Sequence, residues 1–206
     1  MFLSAMHPFD WISLSRELKG IAEAGLRYSE NVFDRERYER IHEIAALPMQ
    51  VAAPDFVWPM EFGYFTPKVD VRAAVVNDEG KILLVREASN GLWTLPGGWA
   101  DQNISPSQNA VKEAFEESGL IVEPLKLIGC YDKETQGHPR QAEHVYRLIF
   151  LCKQTGGTLT TSHETSGAAF FAKNEIPDLC PHRSGRQYLD LAWAHASDPT
   201  LPTTFD

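Results

Sequence analysis

The sequence predicts an α/β (α+β) fold preceded by an N-terminal helical hairpin. Apolar residues recur at helical spacing near the start of the chain, while strand-length apolar runs separated by turn residues begin near residue 69. Hydrophobic residues make up 43% of the 206 residues and charged residues 23%, so the chain can form a packed core. We therefore expect a helical extension over residues 1–60 and an α/β domain over residues 61–206.

The hairpin is predicted from two amphipathic segments. The first helix begins after Asp10, which suits an N-cap, and its apolar face consists of Trp11, Leu14, Leu18, Ile21 and Gly25. The second begins after Asp34, ends before Pro48 and presents on one face Tyr38, Ile41, Ile44 and Ala45. Such a hairpin cannot bury both faces alone, so it packs on the rest of the chain or on a second subunit. We expect the second arrangement, a homodimer formed through the hairpin.

The segment from Pro54 to Pro67 connects the two parts. It is rich in proline and in aromatic residues, namely Phe56, Trp58, Phe62, Tyr64 and Phe65. The alternative role for these rings is to stack on a nucleotide base. Aromatic residues in linkers more often pack against their own protein, so we interpret the segment as a connector.

The remaining elements follow from strand, turn and capping signals. Residues 69–76 and 82–85 form a predicted β-hairpin across the turn residues Asn77, Asp78 and Gly80. Residues 93–95 lead into a glycine turn, and a helix over 106–118 has Ser105 as N-cap and Gly119 just past its end. Further strands are predicted over 121–128, 144–153 and 168–172, and a last helix over 184–195.

Charge and composition exclude several classes of protein. The formal net charge of −9 argues against sequence-independent binding to nucleic acid, which needs a basic surface. The three cysteines form no CxxC pair, so neither a zinc site nor a disulfide framework is indicated. No apolar run has membrane length, and Asp10, Arg16 and Glu17 stand where a secretory signal would need apolar residues. We expect a cytoplasmic protein with no nucleic-acid and no membrane partner.

Three glutamates in the helix over 106–118 form the candidate site. Glu113, Glu116 and Glu117 project from one side of the helix, since they lie three and four positions apart. Like charges at this spacing repel, and a hard divalent cation bound through carboxylate oxygens would offset the repulsion. The alternative is a solvated acidic surface. The glycine-containing loop from Trp93 to Trp99, directly upstream, favours a site.

The stretch from Gly98 to Leu120 is similar to the Nudix box, in which a glycine, five residues, a glutamate and seven residues precede Arg-Glu-hydrophobic-x-Glu-Glu-x-Gly-hydrophobic. The sequence matches this box at Gly98, Glu113, Ala114, Glu116, Glu117, Gly119 and Leu120. The resemblance extends over roughly residues 68–195 and implies the Nudix α/β/α sandwich with a mixed sheet. The hairpin resembles the helical extension of bacterial Nudix hydrolases that act on X-linked nucleoside diphosphates, among them ADP-ribose and CDP-choline.

The resemblance also implies a chemistry. It implies Mg²⁺, or Mn²⁺ as a substitute, held by Glu113, Glu116, Glu117 and the backbone of Gly97. The cation would neutralise phosphate charge and activate a water for in-line attack on phosphorus. The implied partner is a small nucleoside diphosphate linked to another moiety. The products would be a nucleoside monophosphate and a phosphorylated compound.

Two positions depart from the Nudix box. Ile104 stands where the family has its first glutamate, and Lys112 stands where it has arginine. In the family these two residues commonly form an ion pair that braces the loop against the helix. Losing both together leaves no buried charge without a partner. We expect weaker or narrower activity, and the alternative is a catalytically weakened domain that acts as a nucleotide-binding sensor.

The general base and the phosphate ligands are not fixed by the box. Glu117 is one candidate base, and Glu164, from a separate loop, is another, although a polar loop residue needs no such role. Arg140 is expected to clamp a phosphate. Arg72 and Arg86, in predicted strands near the cleft, either contact substrate phosphate or face outward without a special role.

Overall fold

The computed structural model describes residues 10–61 and 63–206. These residues form two compact units. One unit contains the described residues up to Pro67 together with Gln141–His144, and the other contains Lys68–Arg140 and Val145–Asp206. No helix within the described ranges combines the length and apolar character needed to cross a membrane.

The first unit is built on two helices, α1 (Trp11–Tyr28) and α2 (Val32–Gln50). Asp10 caps α1 as predicted, since its side chain accepts a hydrogen bond from the amide of Ser13. The predicted bounds of α2 are wrong at both ends. Asn31 caps the helix earlier by accepting from two amides of the first turn, and the helix continues through Pro48. A proline so near the end removes only one backbone hydrogen bond, and the helix ends two residues later.

The aromatic segment packs within this first unit. Trp58 is 3% exposed, and its ring meets those of Phe56 and Phe65 edge to face at centroid distances of 5.0 and 5.6 Å. Arg16 donates to the carbonyl oxygen of Ala142 at 2.7 Å, which holds the segment 141–144 to α1. Three of the five predicted aromatic residues therefore pack rather than face a ligand. Phe62 lies outside the described residues.

The second unit contains eight strands within the described residues. They are β1 (Lys68–Val75), β2 (Ile82–Glu87), β3 (Trp93–Thr94), β4 (Gly97–Trp99), β5 (Leu120–Asp132), β6 (Val145–Gly157), β7 (Thr165–Phe171) and β8 (Thr204–Phe205). One sheet has the order β4-β1-β6-β5-β8 and mixes parallel with antiparallel pairs. The other has the antiparallel order β3-β2-β7. The predicted mixed sheet is confirmed.

The predicted β-hairpin between β1 and β2 is wrong. The two strands lie in different sheets and share one isolated bridge, between Val76 and Ile82. Both edges of β1 are already paired, with β4 on one side and β6 on the other. Because a strand has only two hydrogen-bonding edges, β2 continues past that bridge and pairs with β3 and β7.

Two helices cover the two faces of β1, which gives the layers of a sandwich. Val71, Ala73 and Val75 share one apolar cluster with residues of α3 (Pro106–Ser118). The alternate residue Ala74 shares another cluster with residues of α4 (Arg186–Ser197). The caps of α3 confirm the prediction, since Ser105 forms a capping box with Gln108 and Gly119 ends the helix at φ 75°.

Candidate active site

The site is built where β4, the edge strand beside β1, meets α3. Gly97 and Gly98 pair with Arg72 and Val71 of β1. Gly97 has φ 146°, a conformation that side chains rarely adopt, and a Cβ atom there would collide with the carbonyl oxygen of Val71. At Gly98 a Cβ would stand 3.2 Å from Oε2 of Glu113. The two glycines thus allow β4 to lie directly against β1 and the acidic helix.

Glu117 is anchored by this glycine turn. The amide of Gly97 donates a 2.8 Å hydrogen bond to Oε2 of Glu117, and Glu117 is only 4% exposed. Burial raises the pKa of Glu117 to about 7, and the negative charge of Glu113 adds to this. The amide of Gly97 and the positive charges of Arg72 and Arg183 act in the opposite direction. Glu117 is therefore a carboxyl group that can exchange a proton near neutral pH.

Glu113 lies in a similar environment. Burial is the main cause that raises its pKa, and the negative charges of Glu116 and Glu164 raise it further. Lys112 and Arg72 oppose the shift. The carboxylates of α3 therefore lie close to one another. The carboxylate of Glu164, from the loop before β7, lies close enough to Glu113 to affect its pKa.

Lys112 links the acidic helix to the loop that precedes it. Its ammonium lies 2.7 Å from Oε2 of Glu116, 3.1 Å from Oδ2 of Asp101 and 3.7 Å from Oε1 of Glu113. Hydrogen bonds to Glu116 and then to Asp101 raise the pKa of Lys112. The backbone of Asp101 is held as well, because its amide donates to Oδ1 of Asn109 at 2.9 Å. Asp101 thus supplies a carboxylate partner to Lys112 in a loop where Ile104 cannot.

The carboxylates face a cavity of about 340 Å³, whose lining residues are Lys112, Glu113, Glu116, Glu117, Ser162, His163 and Glu164. Among the residues described by the structure, no three or more His, Cys, Asp or Glu side chains are already arranged as a metal cluster. Glu116 is engaged by Lys112, and Glu117 by the amide of Gly97. The donor chemistry nevertheless fits a hard divalent cation, since four carboxylates line one cavity. Burial, together with the charges of Glu116 and Glu164, raises the pKa of Glu113.

A second cavity, of about 510 Å³, lies against Glu117 and is lined by Glu87, Ala88, Ser89, Glu117, His163, Glu164, Thr165 and Arg183. Glu117 and Glu164 line both cavities. Nε of Arg183 lies 2.6 Å from Oε1 of Glu87, and the Arg183 side chain is 41% exposed. This cation beside Glu117 was missed by the sequence analysis. The carboxylate with which Arg183 pairs, that of Glu87, lies nearly one hundred positions earlier in the chain. No local sequence pattern therefore indicates this pair.

Arg72 is committed to a buried network. It is 2% exposed, and its guanidinium holds Asp70 through two hydrogen bonds of 2.8 and 2.7 Å. Arg147 binds the same carboxylate at 3.0 and 2.9 Å. Burial alone would raise the pKa of Asp70, but the two arginines hold it well below its usual range. Arg72 lines neither cavity, and it interacts with Glu113 and Glu117 through its charge.

The other two predicted arginines lie apart from both cavities. Nε of Arg86 donates to the carbonyl oxygen of Gly91 at 2.8 Å, and the side chain is exposed. Nη2 of Arg140 lies 3.1 Å from Oε2 of Glu134. Neither residue lines the cavities beside Glu117.

Comparison with known proteins agrees with this geometry. The Nudix domain family matches residues 66–191, and a family described as a UDP-X-like, N-terminal oligomerisation domain matches residues 9–52. YjhB of Bacillus subtilis, whose name assigns it provisionally to the ADP-ribose pyrophosphatases, is 39% identical over 202 residues. That alignment covers 95% of this chain and 97% of YjhB. An ADP-ribose pyrophosphatase of Methanocaldococcus jannaschii is 31% identical over 122 residues, which cover 56% of this chain and 68% of that protein.

Solved structures give the same result. An ADP-ribose pyrophosphatase from Streptococcus suis has a TM-score of 0.62 at 38% identity, covering 68% of this chain and 100% of its own. A UDP-X diphosphatase has a TM-score of 0.62 at 27% identity, covering 96% of this chain and 98% of its own. The predicted resemblance is confirmed: the chain belongs to the Nudix hydrolase family and carries the UDP-X-like N-terminal domain ahead of its Nudix domain.

Proposed function

We propose that this Nudix hydrolase cleaves the pyrophosphate bond of an X-linked nucleoside diphosphate of the ADP-ribose type in the presence of Mg²⁺. The products are a nucleoside monophosphate and a phosphorylated compound. The observation that carries the proposal is the placement of Glu117, a nearly buried carboxyl group held by Gly97 between two cavities. Two relatives whose names specify ADP-ribose support this substrate class. CDP-choline is the alternative substrate of the same chemical type.

The divalent cation is assigned to the acidic helix. Glu113, Glu116, Glu117 and the carbonyl oxygen of Gly97 would hold Mg²⁺, with Mn²⁺ as a substitute. When bound, the cation would neutralise negative charge on the diphosphate and lower the pKa of a bound water. The exposed end of Glu116 makes it the ligand most open to solvent, since 54% of its side chain is exposed. Glu113 and Glu117 supply the two more buried carboxylates.

Proton transfer is assigned to Glu117, with Glu164 as the second candidate. Burial raises the pKa of Glu117 to about 7 without a cation, and a bound cation would lower this pKa and favour the ionised form that a base needs. Its Oε2 accepts the amide of Gly97, which leaves Oε1 for a water. Glu164 lines both cavities but has a side chain that is 59% exposed and lies 3.3 Å from Nε2 of His163.

Substrate binding is assigned to arginines at different distances from Glu117. Arg183 lines the larger cavity beside Glu117, and a guanidinium fork suits phosphate oxygens. Arg72 contributes through its charge, which stabilises the ionised carboxylates of α3. Arg86 and Arg140 stay proposed substrate ligands, although neither lines the two cavities.

The N-terminal extension, residues 1–60, is proposed to form a homodimer, with residues 61–206 as the hydrolase domain. Helices α1 and α2 expose large apolar side chains: Trp11 (53%), Tyr28 (64%), Val32 (59%), Phe33 (64%) and Leu47 (54%). Apolar surface of this kind favours burial against a partner. Light scattering should give twice the 23.1 kDa mass of the chain, and Phe33→Glu should shift it to the monomer. A monomeric native protein would refute the homodimer.

The activity is tested by incubating the protein with ADP-ribose, CDP-choline and nucleoside triphosphates, with Mg²⁺ or Mn²⁺, and following products by ³¹P NMR. We expect ADP-ribose to yield AMP and ribose phosphate, and Glu117→Gln to lower kcat by roughly 10³. Glu123→Gln, an exposed carboxylate on β5, is the matched control and should retain activity. Hydrolysis of triphosphates alone would overturn the substrate class. Nucleotide binding without turnover of any substrate would instead establish a nucleotide-binding sensor.

A further inference from the structure

A further cavity lies away from the candidate active site. It has a volume of about 580 Å³ and is formed by the end of β1, the turn before β2, adjacent parts of β5 and β6, and the end of α4. None of its lining residues lines the cavities beside Glu117. Val76 in its wall lies five positions beyond Val71, the residue that pairs with Gly98. At the rise of a strand, that separates the two places by roughly 16 Å.

His195 is the polar group that distinguishes this cavity from an ordinary surface groove. It lines the cavity and is 1% exposed. Its Nδ1 is buried and forms no hydrogen bond with any residue that the structure describes. Burial and the nearby charge of Lys126 lower the pKa of His195, which favours the neutral ring, and the charge of Asp198 opposes this shift. A buried polar atom without a partner is unfavourable. Because Nδ1 is itself almost inaccessible, a ligand in the cavity relieves it only once the ring turns toward the cavity.

The walls combine apolar surface with positive charge. Leu125, Leu151 and Trp193 supply apolar surface, and Trp193 is fixed by a 2.8 Å hydrogen bond from Nε1 to the carbonyl oxygen of Gly80. Lys126 donates to the carbonyl oxygen of Pro199 at 3.0 Å, which holds the segment after α4 against the cavity. Lys153 also lines the cavity, is exposed and forms no ion pair within the described part of the chain.

We propose that this cavity, defined by Val76, Leu125, Lys126, Lys153, Trp193 and His195, is a second binding site for a small organic anion with an apolar body. The carboxylate or phosphate group meets the ammonium of Lys153. The apolar body lies against Leu151 and Trp193. The ring of His195 turns toward the cavity, and its Nδ1 exchanges a hydrogen bond with a polar atom of the ligand. The two lysines outnumber the one acidic lining residue, Asp78, so the net charge of the wall favours an anion.

The site is tested by titrating the ¹⁵N-labelled protein, without divalent cations, with phenyl phosphate, benzoate and the neutral benzyl alcohol. We expect saturable shifts of the amide signals of Val76, Lys153 and Trp193 with at least one anion. Lys153→Met keeps the length of the side chain and should weaken that anion at least fivefold while leaving benzyl alcohol unchanged. Lys68→Met, on the first residue of β1, is the matched control.

A second variant addresses the buried ring. His195→Gln retains a polar end, whereas His195→Leu removes it, so the leucine variant should bind the anion more weakly than the glutamine variant. Three results would overturn the proposal. These are shifts that do not saturate, equal affinities of the Lys153→Met and Lys68→Met variants, and shifts confined to the signals of Gly97 and Glu117. None of these measurements requires hydrolysis, so the proposal stands or fails independently of the activity proposed above.

Discussion

Oδ2 of Asp101 lies 3.1 Å from the ammonium of Lys112, which joins the loop after the glycine turn to the acidic helix. In the Nudix box this connection is made by a glutamate and an arginine, at the positions of Ile104 and Lys112 in this chain. Asp101 reaches the same helix from three positions earlier. The ion pair therefore offsets the departure at Ile104, and the same ammonium lies 3.7 Å from Oε1 of Glu113.

Replacing Asp101 should lower activity without unfolding the protein. Asp101→Asn removes the charge, while the backbone hydrogen bond to Asn109 is unaffected. Both partners of the ion pair are partly exposed, with 37% of Lys112 and 53% of Asp101 accessible, so solvent weakens it. We expect kcat/KM for ADP-ribose to fall about threefold, or ~0.7 kcal/mol. Steady-state kinetics of Asp101→Asn, Lys112→Met and the double variant measure the coupling. Additive losses would show that the pair does not brace the loop.

The sequence predicted correctly those elements whose ends are set by neighbouring residues in the chain. The helix α3 was predicted at its observed bounds because Ser105, Pro106 and Gly119 act on their immediate neighbours. The pairing of β2 was predicted wrongly because it depends on β4 and β6, which occupy both edges of β1. The same limit applies to the site. The glutamates of α3 stand out by spacing alone, whereas Arg183 and Glu87 meet only after folding.

The raised pKa of Glu117 predicts a specific dependence of stability on pH. Because burial raises the pKa of Glu117 to about 7, the folded protein binds this proton more tightly than the unfolded chain, in which the pKa is about 4.5. This stabilisation is complete below about pH 4.5 and is lost as the pH rises through about 7. Glu117→Gln retains an acceptor for Gly97 and removes the charge. It should match the native protein near pH 4.5 and be more stable by about 3 kcal/mol at pH 8.

The measurement is urea unfolding at both pH values in the presence of a chelator, since a bound cation would stabilise the ionised carboxylate. Glu123→Gln, on β5, is the control. That side chain is exposed and lines neither cavity, so its removal should leave the pH dependence of unfolding unchanged. The contrary result is that the free energies of unfolding of the native protein and Glu117→Gln differ by the same amount at both pH values. That result would show that ionisation of Glu117 does not destabilise the folded state.

Arg183 is expected to act on substrate binding. Arg183→Ala removes a cation from the wall of the cavity beside Glu117 and leaves the Glu87 carboxylate without its 2.6 Å partner. We expect KM for ADP-ribose to rise about tenfold. Arg183→Lys keeps the positive charge but loses the two-pronged guanidinium. Its KM should therefore lie between those of the native protein and Arg183→Ala. Arg186→Ala, on the exposed side of α4, is the control. Unchanged kinetics in Arg183→Ala would reduce the role of Arg183 to pairing with Glu87.

Gly97 is expected to be the glycine of the site that tolerates substitution least. A substitution at Gly137 serves as a control that separates backbone strain from steric collision. Gly137 has φ 75° and no neighbour within 4 Å of an added Cβ, so Gly137→Ala meets backbone strain alone. We expect that variant to lose about 1 kcal/mol of unfolding free energy. Gly97→Ala adds a collision with the carbonyl oxygen of Val71 and should lose roughly 3 kcal/mol or more. Urea unfolding measures both. Equal losses would mean that β1 and β4 can separate at this pair, and the amide of Gly97 would then no longer fix Glu117.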